Sequence, residues 1–282
     1  MIAAEPAVPG RGAPRVAWSA VRIARFATPQ RQVLFGKVEG EPGAPAEALT
    51  VAAIEEHPFG QIRLTGQRWA LPDVRLLAPL LPSKIVGVGK NYAEHVAEMG
   101  GDAPAAPLLF LKPPTAVIGP NDPIRLPVDA KEVHFEGELA VVIGALGARD
   151  VRRERALDTL LGFTVANDVT ARDQQRADGQ WTRAKGHDSC CPLGPWFETV
   201  LDPTDLGIRT ELDGQVKQDS RTSLLLHDVA TLVSYVSHVM TLLPGDMILT
   251  GTPAGVGPLA AGQTVSVTVE GIGTLTNTVR TK

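Results

Sequence analysis

The chain predicts an α+β fold dominated by strands, and three observations carry that reading. Its apolar segments are short and set apart by glycine and proline rather than arranged at helical spacing. Helical patterns are few and lie scattered between them. Near the C-terminus Val265, Val267 and Val269 alternate with polar residues, so they share one face of a strand. A doubly wound sheet would instead show strands and helices in regular alternation.

Composition narrows the class further. The 282 residues are 44% hydrophobic and 21% charged, ordinary for a protein that buries a substantial core. A net charge of −4 leaves no electrostatic footprint for nucleic acid or an anionic membrane, so neither is an expected partner. No apolar run reaches the roughly 18 residues that a membrane-spanning helix needs. Met1 to Gly12 carries Glu5, Pro6 and Pro9 with no apolar centre, which argues against a secretory signal. The two cysteines, Cys190 and Cys191, are adjacent, a spacing that rarely makes a structural bridge. A reduced, cytoplasmic protein is expected.

In chain order, residues 1–14 read as a disordered tail rich in proline, glycine and alanine. Residues 15–77 read as a small β-rich N-terminal domain with apolar segments at Val16–Val21, Val33–Val38 and Ile62–Leu64. A second unit fills residues 80–282. It opens with the strand Lys84–Gly89, followed by a helix with Asn91 as N-cap, Glu94 in its first turn and Gly100 at its end. Leu108–Leu111 is a short strand and His134–Ile143 a longer one. A helix capped by Asp150, with Ala156, Leu157, Leu160 and Leu161 as its buried stripe, ends at Gly162. Phe163–Asn167 is a strand with Asp168 at its carboxyl end. Thr170 and Asp173 resemble a cap opening a short helix. Asp228 caps a helix whose apolar stripe is Val229, Leu232, Val233, Val236, Val239 and Met240, and Met247–Thr250 is the strand after it.

The chemistry gathers around His134–Ile143. Positions i and i+2 of a strand point to one side, so Glu136 and Glu138 project together. Two carboxylates leading into a core strand are costly to bury without a cation, and oxygen-only ligands favour Mg²⁺ or Mn²⁺. An exposed acidic strand end fits the same pattern. His134 shares that face as a further ligand or, more economically, as a structural residue. His95 and Glu98 sit at i, i+3 on one helix face, where a carboxylate fixes the imidazole tautomer and raises its basicity. A solvated surface pair is the plainer alternative. Asp168 adds a carboxylate, Arg172 suits capture of a substrate carboxylate, Gln175 can orient a water, and Lys185 is a second cation. Gly87-Val88-Gly89 lacks the third glycine of a dinucleotide fingerprint, and Gly251–Gly257 lacks the Lys-Ser/Thr ending of a phosphate loop.

Four segments in series resemble the fumarylacetoacetate hydrolase family: Gly89-Lys90-Asn91-Tyr92-Ala93-Glu94-His95, Phe135-Glu136-Gly137-Glu138-Leu139, Ala166-Asn167-Asp168-Val169-Thr170-Ala171-Arg172-Asp173, and Leu249-Thr250-Gly251-Thr252-Pro253-Ala254-Gly255-Val256-Gly257. The likeness covers roughly Leu80 to Val279. It implies a β-dominated catalytic fold with mixed sheets rolled around a Mg²⁺ or Mn²⁺ held by Glu136, Glu138 and Asp168. It also implies a His95–Glu98 dyad on a mobile lid helix, catalytic positions at Gln175 and Lys185, and substrate contacts at Arg172, Thr252, Gly251 and Tyr92. The implied substrate is a 2-oxo acid or its enol, and the implied assembly is a homodimer. With the dyad present, hydrolysis of a carbon–carbon bond in an acylpyruvate or fumarylpyruvate is the leading expectation. Decarboxylation or tautomerisation of oxaloacetate, and isomerisation of 2-hydroxyhepta-2,4-diene-1,7-dioate, are the alternatives. A non-catalytic binder of 2-oxo acids is a remote one.

Overall fold

A computed structural model describes residues 20–100 and 102–282. The expected tail at 1–14, and the first residues of the expected N-terminal domain, lie outside the described residues. The β-dominated α+β expectation holds. The largest sheet has twelve strands, of which ten run, neighbour by neighbour, through Leu64–Ala70, Thr50–Ile54, Val33–Glu39, Arg22–Ala27, Cys191–Glu198, Leu160–Asn167, Gly137–Ile143, Met247–Leu249, Ile85–Gly89 and Leu108–Lys112, while Arg75–Leu77 and Val117–Ile118 pair off that path. A five-stranded sheet holds Gln215–Arg221, Gly207–Leu212, Thr264–Val269, Gly273–Thr281 and Ile124–Leu126. A three-stranded one joins Thr170–Ala171, Val133–Phe135 and Gly257–Pro258.

The N-terminal strands continue the large sheet, because Arg22 and Ile23 pair antiparallel with Glu198 and Phe197. Every residue of Gly137–Ile143 is buried, Glu138 included, as the apolar run Leu139–Ile143 with neighbouring strands on both edges requires. In Thr264–Val269 the alternation is realised, with Val265, Val267 and Val269 inward. The helix Val229–Val239 buries Val229, Leu232, Val233 and Val236, each contributing about 1.5–3 kcal/mol by leaving water. Its start is fixed by Asp228, whose carboxylate accepts the Thr231 N–H at 2.8 Å. No helix among the described residues is long and apolar enough to cross a membrane.

Several local expectations are corrected. The strand expected over His134–Ile143 breaks at Glu136, which sits between Val133–Phe135 in the small sheet and Gly137–Ile143 in the large one. Asn167 Oδ1 accepts the Glu136 N–H at 2.9 Å, and the Asp168 N–H donates to Glu136 O at 2.8 Å. The chain thus changes sheets at the residue that carries the first carboxylate.

The helix expected after Asp150 is only a 3-10 turn, Arg153–Thr159. Leu160 and Leu161 belong to the next strand, and Leu157 is exposed. Asn91 does not cap the helix Ala93–Met99, whose N-cap is Tyr92. Its amide instead donates to the carbonyls of His227 (3.0 Å) and Thr250 (2.8 Å), and its Oδ1 accepts the His227 N–H at 2.8 Å. Those three bonds pin the start of the helix to two remote segments. Thr170 and Asp173 make no cap either. Thr170 Oγ1 donates to Asp168 O, and Asp173 accepts the Lys131 N–H.

Candidate active site

Strand ends converge on one pocket. Glu136 comes from the sheet crossover, Glu138 from the second residue of Gly137–Ile143, and Asp168 from the end of Leu160–Asn167. Each of the three offers a ligand oxygen, and these atoms lie within 4.8 Å of one another; all three residues are buried. Arg172 Nη2 stands 2.5 Å from Glu136 Oε1, and Lys185 Nζ bridges Glu136 Oε2 at 2.7 Å and Asp168 Oδ2 at 2.6 Å. Lys112 Nζ takes the other oxygen of Asp168, also at 2.6 Å. Three carboxylates therefore face three buried cations.

The charge is unevenly placed. Burial alone would raise the pKa of Glu136, but Arg172 and Lys185 outweigh it and hold the carboxyl well below the usual range. Among the described residues no cation stands at contact distance from Glu138, and its Oε2 accepts the Gly251 N–H at 2.6 Å. Burial, together with the nearby Asp168 and Glu136, pushes Glu138 well above the usual range. A buried, all-oxygen cluster short of positive charge on one side is the environment that suits a hard divalent cation. Glu136, Glu138 and Asp168 fit such an ion by donor type and spacing.

The remaining expected residues fall into two groups. His95, Arg172, Gln175, Lys185 and Thr252 line the same pocket as the carboxylates. His95 Nδ1 lies 3.0 Å from Glu98 Oε2. A carboxylate can only accept there, so Nδ1 carries the hydrogen and Nε2 is left as the basic nitrogen. Arg172 Nη1 donates to Gln175 Oε1 at 3.0 Å, and its Nε is buried with no hydrogen-bond partner.

Gly251 and Thr252, placed against substrate by the resemblance, instead commit their donors to the protein. The Gly251 N–H is on Glu138, and Thr252 Oγ1 donates to Gly137 O at 2.9 Å. Tyr92 is buried with its hydroxyl unpartnered, and burial with Glu138 close by raises its pKa. His134 is not among the clustered ligand residues and pairs through Nε2 with Glu132 at 2.9 Å. Burial pushes the Cys190 thiol up to about 11 and that of Cys191 to about 12, so neither is a nucleophile near neutrality.

Three contributors were given no individual role by the sequence, although Gly255 lies within one of the segments that carry the family resemblance. Lys112 closes the strand Leu108–Lys112, and only its i+2 relation to the pocket-lining Phe110 hinted at an inward cation. For Lys112 burial opposes the charge, but Asp168 more than restores it and leaves the pKa raised. Gln218, buried in a mostly polar and mostly exposed strand, accepts the Gly137 N–H and donates to Thr252 Oγ1 and Pro253 O. Gly255 gives its N–H to Glu98 Oε1 at 3.0 Å, latching the dyad's carboxylate to the glycine-rich loop. Its φ of +96° suits glycine, and a Cβ there would lie 2.0 Å from Lys217 O.

Comparison with known proteins agrees with this geometry. The family described as Fumarylacetoacetate (FAA) hydrolase C-terminal matches residues 84–280, and Rv2993c-like, N-terminal matches residues 21–79. A crystal structure of 2-hydroxyhepta-2,4-diene-1,7-dioate isomerase from Mycobacterium marinum is 58% identical, covers 93% of this chain and 99% of its own, and superposes with a TM-score of 0.86. The mitochondrial oxaloacetate decarboxylase of Dictyostelium discoideum is 40% identical over 68% of this chain and 90% of its own length. Fumarylpyruvate hydrolase from Pseudomonas aeruginosa, solved with Mn²⁺ and pyruvate, is 34% identical over 71% of this chain and 90% of its own, with a TM-score of 0.67. Sequence match, fold and the clustered carboxylates agree, and the chain belongs to the fumarylacetoacetate hydrolase family.

Proposed function

We propose that the protein is a Mg²⁺- or Mn²⁺-dependent enzyme that hydrolyses a carbon–carbon bond in a 2-oxo acid of the acylpyruvate or fumarylpyruvate type. The observation that carries this reading is that the His95–Glu98 dyad and the three carboxylates open on one pocket. Charge balance supports it. The three carboxylates and their three cations cancel, so a divalent ion leaves room for two negative charges. A 2-oxo acid that has also lost the proton of its enol carries that charge.

A divalent ion held by Glu136, Glu138 and Asp168 would supply Lewis acidity at the substrate's 2-oxo oxygen. The chain's own residues do the rest. His95 Nε2 takes a proton from water, and Glu98 stabilises the imidazolium that results. Lys185, held between Glu136 and Asp168, places an ammonium where negative charge grows on the departing fragment. Arg172, with Nε free and Nη1 set by Gln175, is a donor for the substrate carboxylate. Gln175 keeps its amide N–H groups for that carboxylate or for the attacking water.

Decarboxylation or tautomerisation of oxaloacetate, or isomerisation of a 2-hydroxy-dienedioate, is the second reading. It uses the same stabilised anion without water attack, and relatives carrying the first and last of these activities in their names favour it. Turnover of acetylpyruvate, fumarylpyruvate, oxaloacetate and 2-hydroxyhepta-2,4-diene-1,7-dioate, before and after chelation and metal return, separates the two. The acylpyruvates should be cleaved fastest, activity should vanish with chelator, and Mg²⁺ or Mn²⁺ should restore it. Turnover that survives chelation would overturn the metal-dependent reading.

The proposal includes a homodimer. The strand Leu108–Lys112 ends the large sheet with Leu108 and Leu111 exposed, an edge that a second copy can cover. Sedimentation should return twice the chain mass at micromolar concentration, and a monomer there would refute it.

A further inference from the structure

Among the described residues, Lys90 is the one cation lining the pocket that the site's own chemistry leaves over. Arg172 and Lys185 line it too, but each is paired with a carboxylate. Among the described residues Lys90 makes no hydrogen bond or ion pair, although it is half-buried on the pocket wall. Its φ of +56° lies in the left-handed region, where a non-glycine residue costs about 1–2 kcal/mol and persists only when its surroundings hold it. Asn91, next along the chain, supplies that hold through its bonds to Thr250 and His227.

Exposure orders the pocket. The carboxylates are fully buried at its floor, and the half-exposed Lys90 stands nearer solvent. An apolar wall of Phe110 and Trp181, whose ring centroids are 5.5 Å apart, also lines the pocket: Lys185 Nζ lies 4.7 Å from the Phe110 ring centroid, and Trp181 abuts Gly89, the neighbour of Lys90. Gly89 keeps that wall open, since a Cβ there would meet the Trp181 ring at 2.5 Å. A ligand that suits this sequence of surfaces has a 2-oxo acid head, a flat apolar middle and a second anion at its far end.

We propose that Lys90 is a specificity residue that binds a distal carboxylate, so that the preferred substrates are 2-oxo dicarboxylates rather than monocarboxylates. The proposal deepens the 2-oxo acid reading above and rests on it. The ammonium gains a partner only when the ligand carries that second charge, and in a half-buried setting such a pair is worth on the order of tenfold in affinity.

The test uses unreactive probes that differ only at the far end, 2-oxohexanoate and 2-oxohexanedioate. Their dissociation constants are measured by calorimetry with Mg²⁺ present, for the parent chain, Lys90→Met and Lys90→Arg. The parent should bind the diacid about tenfold more tightly. In Lys90→Met the ratio should fall to about one, and Lys90→Arg, which keeps the charge, should retain most of it. A parent ratio near one, or a Lys90→Met ratio equal to the parent's, overturns the subsite while leaving the 2-oxo acid reading intact. If the parent binds neither acid, the 2-oxo acid reading falls and the subsite falls with it.

Discussion

Replacing Glu136 by alanine is expected to end metal-dependent turnover and to destabilise the protein by about 3 kcal/mol. Both effects follow from the same carboxylate. It is one of three clustered oxygen donors, and it is also the anion that Arg172 Nη2 meets at 2.5 Å and Lys185 at 2.7 Å. Lys185 keeps Asp168 as a second partner, so the charge left bare is that of Arg172, which is 2% exposed. Removing one partner of a buried pair costs more than the pair contributes, because the survivor can neither reach water nor lose its charge.

Two measurements read the result: a thermal melt without metal, and a Mn²⁺ titration by calorimetry. The parent should gain stability as Mn²⁺ is added, since an ion that binds only the folded chain shifts the equilibrium by mass action. Glu136→Ala should melt lower and show little or no Mn²⁺-linked gain. Glu136→Gln, which keeps the shape, separates loss of charge from loss of packing. A Glu136→Ala protein that binds Mn²⁺ as the parent does would remove Glu136 from the metal site.

How much of this was readable in the chain depends on how local each cause is. Strands that settle their own placement were legible: the alternation of Val265, Val267 and Val269, and the unbroken apolar run from Leu139 to Ile143. So was the Asp228 cap, whose partner is three residues away. Asn91 was misread because its side chain looks like a local cap while its partners lie at His227 and Thr250. Leu160 and Leu161 fitted a helical stripe, yet Leu160 pairs with Ile143 and the two open a strand that runs on between Gly137–Ile143 and Cys191–Glu198. No single-sequence period carries that information.

The site divides in the same way. Glu136 and Glu138 are related by a two-residue spacing, and His95 and Glu98 by three, so each pair was visible as a pair. The meeting of the two pairs came from the family resemblance alone, since no spacing links them. The full set of cations that offsets the three carboxylates was not visible: to it the fold adds Lys112 at a strand end, bonded to Asp168. Gly251 and Thr252 show the reverse case. A motif placed them at the site, but it could not say whether their donors faced substrate or the strand bearing Glu138.

Substituting His95 by alanine should lower hydrolysis by about 10²–10⁴-fold while leaving Mn²⁺ affinity within about twofold of the parent. The separation rests on where the parts are attached. The carboxylates are fixed by strands of the large sheet and the crossover into it, whereas His95 rides on the short helix Ala93–Met99. That helix is held from outside the metal cluster, by Asn91 at its start and by the Glu98–Gly255 bond at its end. His95 contributes no atom to the group of clustered ligand oxygens. Its loss removes the base and leaves the donors where they are.

Glu98→Gln sharpens the test. An amide can turn its N–H toward Nδ1, which moves the imidazole hydrogen to Nε2 and removes the basic nitrogen from the pocket without emptying it. That variant should lose most of the hydrolytic rate through kcat, with little change in KM or in Mn²⁺ binding. If His95→Ala cleaves acylpyruvates at the parent rate, water is not activated by this imidazole. If it loses Mn²⁺ affinity in step with activity, His95 belongs to the metal site, and the division of labour between helix and sheet is wrong.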